Sequence, residues 1–442
     1  MKVLIMLRPA TRFQRLLAEI VSGSVKSFRH RSDGRLATAG ADLDEAKMTP
    51  PNQFDQTVAT PPYINRLPVA KRAKIMVSSN SAWNLANFRK PVIEALIAAG
   101  FEVVAVAPAD GQEGRLEAMG ASFRAIKMRA TGMSPLEDAR LLRDYIILLR
   151  AERAGLFLGF TAKPNIYGSL AARITGVPVA ATISGLGSAF LKGGGLGWLL
   201  LRLYRGALAN AQAIFFQNAS DRDLFINRGI ARADQARLVA GSGVDLDNFA
   251  LTAVEPHDDL RFLLVARLLL DKGIAEFVDA ARIVRRLHPK ARFQLLGGPG
   301  GDNPSAVPHA DLARWAADGI VELLGVQDDV RPAIAAADCV VLPSYREGLS
   351  RSLLEAAAMG RPLIASDVPG CREVIEDGVT GLLCDVRSAG SLAAAIERIA
   401  AMSPAERTAM GANGRRKVAA EYDQTLVAAA YLAEAAVVDR GR

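Results

Sequence analysis

The sequence predicts an α/β protein of two doubly wound, Rossmann-like domains that face each other across a central cleft. Three observations carry that prediction. Short, continuously apolar runs alternate with helical patterns of about 10–15 residues. Glycines stand where those helical patterns stop. The whole alternation then occurs a second time after a polar junction.

In the first set the strand-like runs are 75–78, 101–107, 156–160, 177–183 and 213–217. The helical patterns between them lie near 91–99, 135–153, 164–175, 197–210 and 220–228. Gly100, Gly176 and Gly229 occupy the positions expected of helix C-caps. Runs apolar on both faces belong in a parallel sheet covered by helices, because an uncovered face would leave them in water. The second set has strands at 261–265, 291–296, 320–323, 339–342 and 362–365, with helices at 274–287, 310–317, 329–336 and 352–359. The junction is GSGVDLDNF at 241–249 and the polar stretch 255–259. The expected organisation is a loosely attached basic extension (1–70), an amino-terminal domain (71–250), a carboxyl-terminal domain (251–420), and a terminal helix (421–442) packing back toward the first domain. Ligands in such sheets bind at the carboxyl ends of the strands.

Composition agrees with a folded chain of this size. Half of the 442 residues are hydrophobic and 23% are charged, which excludes wholesale disorder, and the length predicts two or three domains. The stretch 32–68 is rich in Asp, Thr, Pro and Ala and shows no sustained periodicity, so it reads as disordered or loosely tethered. Residues 1–21 lack the apolar core of a secretory signal; a basic amphipathic segment and an unused upstream start both stay open. No uncharged apolar run of about 18 residues exists, so no membrane-spanning helix is expected. Three cysteines without a CxxC pair exclude a disulfide framework and argue against structural zinc.

Charge is distributed unevenly. Residues 1–70 carry 10 basic against 6 acidic residues, 71–210 carry 18 against 9, and 211–442 carry 26 against 31. The net +8 therefore joins a basic first half to an acidic second half, and the basic half suits an anionic partner. Nucleic acid is not that partner, since no interleaved aromatic platform or recognition motif accompanies the basic residues.

The sharpest motif is LPSYREGLSRSLLE at 342–355. A strand ends at Leu342, a loop carries Glu347 and Gly348, and a helix begins near Ser350 or Ser352. The helix amino terminus favours phosphate, and Gly348 permits close backbone approach. A carboxylate at Glu355 suits a ribose diol, while Glu347 reaches a second hydroxyl-rich group. Either glutamate alone reads equally as a surface charge; the strand–loop–helix context singles them out. The segment VARLLLDKG at 265–273 places Arg267 at a strand end and Lys272 before a helix, two cations suited to a diphosphate leaving group. LLGGPGG at 295–301, with Gly297, is a weaker signal, equally an ordinary glycine-rich turn.

With these residues together, the chain resembles the retaining glycosyltransferases of family 4, which have the GT-B fold. The resemblance rests on a Glu, seven residues, then a Glu (Glu347, Glu355), and on an Arg, four residues, then Lys-Gly (Arg267, Lys272, Gly273). It extends to GSGVD at 241–245, GVQDDV at 325–330 and DVPG at 367–370, covering about 370 residues from position 71 onward. In the first half, SNSAWNLANFR (79–89), FTAKPNIYG (160–168) and TISGLGSAF (182–190) are similar to bacterial enzymes that add N-acetylhexosamine to undecaprenyl-diphosphate-linked sugars. Many family members place a histidine after the strand matching 177–183; here Ser184-Gly-Leu-Gly stands instead.

The resemblance implies an α-linked UDP-sugar donor, no cofactor and no metal requirement, and a polyprenyl-diphosphate-linked glycan acceptor. It implies catalytic roles for Glu347, Arg267 and Lys272, and donor contacts from Glu355, Gly348, Leu349, Ser350, Val326 and Gly297. Asn84, Asn87, Lys163, Gly185 and Gly187 fall on the acceptor side. Retention is described in the family as front-face attack, the departing phosphate helping to deprotonate the acceptor hydroxyl, so no protein nucleophile is needed. The expected location is the cytoplasm, peripheral on the inner face of the bacterial cytoplasmic membrane. The helix around 196–208, with Arg202 and Arg205, reads equally as an anionic-membrane contact and as an ordinary core helix. Asp-x-Asp matches at Asp42/Asp44, Asp221/Asp223 and Asp245/Asp247 are at the level of chance. The donor stays open among N-acetylgalactosamine, N-acetylglucosamine, galactose and glucose. A non-hydrolysing UDP-sugar 2-epimerase and an inactive sugar-nucleotide-binding protein are the alternatives. The first needs acid/base side chains on both domains, and the second would be expected to lose a charged site residue.

Overall fold

The computed structural model describes residues 72–440 except 130, 131, 133, 186–193, 255, 256 and 302. The extension 1–70, its expected looseness included, lies outside the described residues, as does Gly187. The first sheet contains β1 (Lys74–Ser78), β2 (Glu102–Ala107), β3 (Ser122–Ala125), β4 (Leu156–Gly159), β5 (Val179–Ile183), β6 (Ala213–Phe216) and β7 (Ala236–Leu238). They are ordered β3-β2-β1-β4-β5-β6-β7 and every pairing is parallel. The second contains β8 (Arg261–Val265), β9 (Arg292–Leu296), β10 (Glu322–Gly325), β11 (Cys339–Leu342), β12 (Leu363–Ser366) and β13 (Gly381–Cys384), again all parallel, in the order β10-β9-β8-β11-β12-β13. Each order reverses direction beside β1 or β8, which opens a crevice at the carboxyl ends.

The central strands follow from their composition: β4, β5, β6, β11 and β12 are buried at every residue. The edge strands β3 and β7 and the sheet-end strand β13 are additions to the sequence reading. β3 and β7 are short and largely exposed, so neither periodicity nor apolarity announces them. The reading also lacked the helix Ala82–Phe88, which is capped by Ser81 and meets the helix Lys90–Ala98 at Arg89. Gly100, Gly176 and Gly229 have φ of +87°, +75° and +61°, the left-handed geometry of a helix end.

The chain crosses between the domains twice, side by side. Val244 N–H donates to the Tyr422 carbonyl at 2.9 Å, and Gln424 N–H donates to the Val244 carbonyl at 3.1 Å. The helix Pro404–Glu421 belongs to the second domain, closed at its start by a Ser403/Glu406 capping box. The helix Gln424–Arg440 returns to the first domain. There Tyr431 packs on Phe160 and Phe215, with ring centroids 5.4 and 4.5 Å away, and its hydroxyl lies 2.8 Å from Thr182 Oγ1. One apolar core consequently runs through both domains and this helix, while two further cores cover the outer sheet faces.

Candidate active site

The carboxyl ends of β8 and β11 bring the charged residues together. After β8 the chain turns through a short 3-10 segment, Leu270–Lys272, and leaves it at Gly273 with φ +74°. A Cβ at Gly273 would lie 2.1 Å from the Pro343 carbonyl oxygen, so only glycine permits this approach. The close packing carries Lys272 to the loop after β11, where its Nζ stands 2.5 Å from Glu347 Oε1. Both side chains are largely withdrawn from water, at 22% and 13% exposure. Glu347 is held from behind by the turn at 367–370: its N–H donates to the Pro369 carbonyl at 3.1 Å.

Arg267 lies at the end of β8, exposed and without an ion pair among the described residues. Gly297 closes the neighbouring strand ends, its N–H donating to Gly325 O at 2.9 Å and its α-carbon lying against Ala266. Gly298 accepts from Leu268 N–H at 2.9 Å and packs beneath Val326, which is 73% exposed. Arg267, Gly297 and Val326 thus share the carboxyl edge of β8–β10, an open shelf beside the Lys272–Glu347 pair.

The helix Arg351–Ala358 starts at Ser350, whose hydroxyl accepts from Leu353 N–H. Ser350 N–H itself donates to the Gly370 carbonyl at 2.9 Å. The Ser350 amide is thus engaged within the second domain, and its hydroxyl caps the helix. Glu355 is 9% exposed and lies 2.6 Å from Arg351 Nε. Burial raises its pKa above the ordinary carboxylate range, with Arg351 opposing. Nearby, Tyr345 donates to Glu276 at 2.7 Å, and burial with that carboxylate pushes its hydroxyl pKa up to about 12.

Gly348 sits on the seam between the domains. A Cβ there would fall 2.3 Å from the Ser184 carbonyl oxygen and 2.6 Å from Gln217 Oε1. The close approach made by Gly348 is therefore to the other domain. Gly185, with φ +115°, faces it from the end of β5. Leu349 occupies the space beside Gly241. Across the seam Asn218 Nδ2 donates to Gly348 O at 2.8 Å, and Arg346 pairs with the fully buried Asp221. The sequence reading missed this clasp, although Asn218 and Asp221, three apart, carry the spacing of a helix cap.

On the acceptor side, Asn84 accepts from the Ser79 hydroxyl at 2.8 Å, and the Asn87 carbonyl accepts from Arg351 Nη1 at 2.7 Å. The Lys163 ammonium lies 2.8 Å from Asp138 Oδ1, in a largely buried ion pair within the first domain. Among the described residues no three His, Cys, Asp or Glu side chains converge as metal ligands. Asp221 is occupied by Arg346, and Asp245 Oδ1 accepts the amides of Asp247 and Asn248.

The second domain matches the family model of glycosyl transferases group 1 over residues 259–402, and the first matches a glycosyl transferase 4-like domain over 89–241. The chain belongs to the group 1, family 4-like glycosyltransferases. Among curated relatives of this glycosyltransferase is the N,N'-diacetylbacillosaminyl-diphospho-undecaprenol alpha-1,3-N-acetylgalactosaminyltransferase of Campylobacter jejuni. It is 28% identical over 80% of this chain and 96% of its own. Another is the Escherichia coli UDP-Gal:alpha-D-GlcNAc-diphosphoundecaprenol alpha-1,3-galactosyltransferase, 26% identical over 60% of this chain and 72% of its own. The fold is shared with sucrose-phosphate synthase of Thermosynechococcus elongatus, at a TM-score of 0.69 and 22% identity over 84% of this chain and all of that one. It is shared equally with Anabaena HepE in complex with UDP-glucose, at a TM-score of 0.69 and 18% identity over 83% and 100%. The two-domain architecture of this glycosyltransferase is accordingly GT-B.

Proposed function

We propose that this glycosyltransferase moves a sugar, an N-acetylhexosamine in the first instance, from a UDP-sugar to a polyprenyl-diphosphate-linked glycan, with retention and without a divalent metal. The observation that carries the reading is the Lys272–Glu347 pair at 2.5 Å, set beside the exposed Arg267 at the carboxyl ends of β8 and β11. The two relatives whose names specify diphosphate-undecaprenol acceptors support the acceptor class.

In this mechanism Arg267 and Lys272 face the donor diphosphate. They stabilise the negative charge that grows on its outer phosphate as the sugar C1–O bond lengthens. Glu347, oriented by Lys272, accepts hydrogen bonds from donor-sugar hydroxyls, and Glu355 accepts them from the ribose. The acceptor hydroxyl oxygen forms the new bond to C1 on the face that UDP leaves. Its proton passes to the departing phosphate oxygen, so no protein nucleophile and no separate base are required.

The surface for a membrane-bound acceptor is the helix Gly194–Leu208. Tyr204, Ala207 and Leu208 bury one face of it, whereas Trp198 is 53% exposed with Arg202 stacked 4.6 Å from its ring. An exposed indole beside a guanidinium suits an anionic interface. Among the described residues no helix is long and apolar enough to cross a membrane. The direct test offers the purified protein a panel of UDP- and GDP-sugars and a polyprenyl-diphosphate sugar, with and without EDTA. Mass spectrometry reads the product and NMR reads its anomeric configuration. A product of inverted configuration, or transfer abolished by EDTA, would overturn the corresponding part of the reading.

A further inference from the structure

Arg89 is 4% exposed, yet its guanidinium has no carboxylate partner among the described residues. Its Nε and Nη1 are buried without any hydrogen bond, and Nη2 reaches only the Ser184 hydroxyl, at a long 3.4 Å. The guanidinium lies over the Phe160 ring, 4.4 Å from its centroid. Burial pulls its pKa down, the neighbouring Tyr431 hydroxyl opposes this and the Arg351 cation adds to it, but an arginine keeps its proton. A buried charge left without a counter-ion is among the least favourable arrangements in a protein. A surface-seeking side chain would not be expected to stay there.

Its location gives the reason. Arg89 forms the corner between the helices Ala82–Phe88 and Lys90–Ala98, and its side chain reaches the carboxyl ends of β4 and β5, the edge where ligands enter such sheets. Ser184 meets Arg89 with its hydroxyl and Gly348 with its carbonyl. The cation therefore stands immediately behind the interdomain seam. Thr161, next to Phe160, likewise keeps its hydroxyl oxygen buried and without a hydrogen bond. Ser184 itself donates to the Phe160 carbonyl at 2.9 Å, so it meets the guanidinium only as a neutral acceptor and supplies no counter-charge.

We infer that Arg89 is an anion-recognition residue, its guanidinium receiving a phosphate oxyanion of a diphosphate substrate when the seam between Gly185 and Gly348 parts. The inference rests on the diphosphate substrates of the proposed function. Arg267 and Lys272 serve the donor diphosphate from the second domain, so the first-domain Arg89 is expected to serve the acceptor diphosphate.

The test uses the whole protein and the variants Arg89→Met, which keeps bulk without charge, and Arg89→Lys, which keeps charge without the planar fork. Ligand-free Arg89→Met is expected to melt at or above the wild-type temperature, because an unpaired buried charge has been removed. Inorganic diphosphate, added with UDP already saturating, is expected to raise the melting temperature of wild type, less that of Arg89→Lys, and not that of Arg89→Met. In steady state Arg89→Met is expected to raise the KM for the polyprenyl-diphosphate acceptor at least tenfold, with the Kd for UDP unchanged. A rise in the Kd for UDP instead assigns the same anion site to the donor. An Arg89→Met variant that melts far lower but responds fully to diphosphate identifies a structural arginine and overturns the inference. Equal diphosphate responses in all three proteins overturn it as well. The diphosphate arm needs no glycosyl transfer, so failure of the acceptor reading and failure of the Arg89 site are separately visible.

Discussion

The ammonium of Lys272 and the carboxylate of Glu347 stand 2.5 Å apart although 75 residues separate them, each delivered by the carboxyl end of a different strand of the second sheet. The pair lets one residue orient the other: Lys272 holds the Glu347 carboxylate in place, and Glu347 holds the ammonium. Lys272→Ala is expected to lower kcat/KM by about a hundredfold to a thousandfold, the scale for removing one charge-stabilising donor. Glu347→Gln is expected to do the same. Because the two act as a unit, the double variant should fall well short of the product of the single effects. Initial rates, with circular dichroism as the check on folding, decide this.

The buried carboxyl of Glu355, with its raised pKa, makes a pH prediction with a definite sign. Between its unfolded and folded pKa values the folded protein holds more protons, so the Glu355 contribution to stability falls as pH rises through that window. Donor binding runs the other way, since the carboxylate is the better acceptor for a ribose diol. UDP affinity is therefore expected to weaken as pH drops through the raised pKa. Glu355→Gln should flatten that dependence and cost about tenfold in affinity at neutral pH. Titration calorimetry from pH 5 to 7.5 reads both; a steeper dependence in the variant would contradict the ribose role.

The seam clasp has an energetic signature. Asp221 is fully buried, and Arg346→Ala strands its charge, at a cost of about 3 kcal/mol in unfolding free energy. Asp221→Asn leaves unpaired only the Arg346 guanidinium, which is 24% exposed and keeps some contact with water, and is expected to cost less. Urea denaturation of the two variants ranks them; equal costs would mean that Asp221 is compensated by other groups.

Gly348→Ala is expected to force the seam apart, because the added methyl meets backbone and side-chain oxygens of the first domain inside 3 Å. The measurable result is a larger radius of gyration in X-ray scattering, together with a fall of about tenfold or more in kcat/KM. A variant of unchanged dimensions and rate would show that the seam yields without cost.

Arg202→Ala is expected to weaken co-sedimentation with vesicles containing anionic lipid about fivefold, the scale of about 1 kcal/mol per basic residue at such a surface, and Trp198→Ala to weaken it through the lost apolar anchor. Transfer to a short, water-soluble acceptor should be unaffected. Undiminished vesicle binding by both variants would leave this helix as a purely structural element.

Much of this was legible from the chain alone, for identifiable reasons. β4, β5, β11 and β12 are buried at every residue, so their apolarity is continuous, and the carboxyl ends of β8 and β11 predict where Arg267, Lys272 and Glu347 cluster. β3 and β7 escaped because an edge strand with few apolar residues has no distinctive period. The contacts of Lys163 with Asp138 and of Ser350 with the Gly370 carbonyl join residues distant in sequence, so local spacing does not announce them. Arg89 stood inside a quoted motif, yet a lone arginine reads as a surface charge. Only its burial against Phe160, without a carboxylate, marks it out.

The return of the helix Gln424–Arg440 to the first domain has a consequence for synthesis. The first sheet is translated long before Tyr431 and Ala435, which complete its core. As the chain emerges, Phe160 and Phe215 lack their Tyr431 partner until the helix Gln424–Arg440 has left the ribosome. The nascent second domain can close on itself meanwhile. A stop codon near position 424 would leave the first domain without Tyr431 and Ala435 in its core.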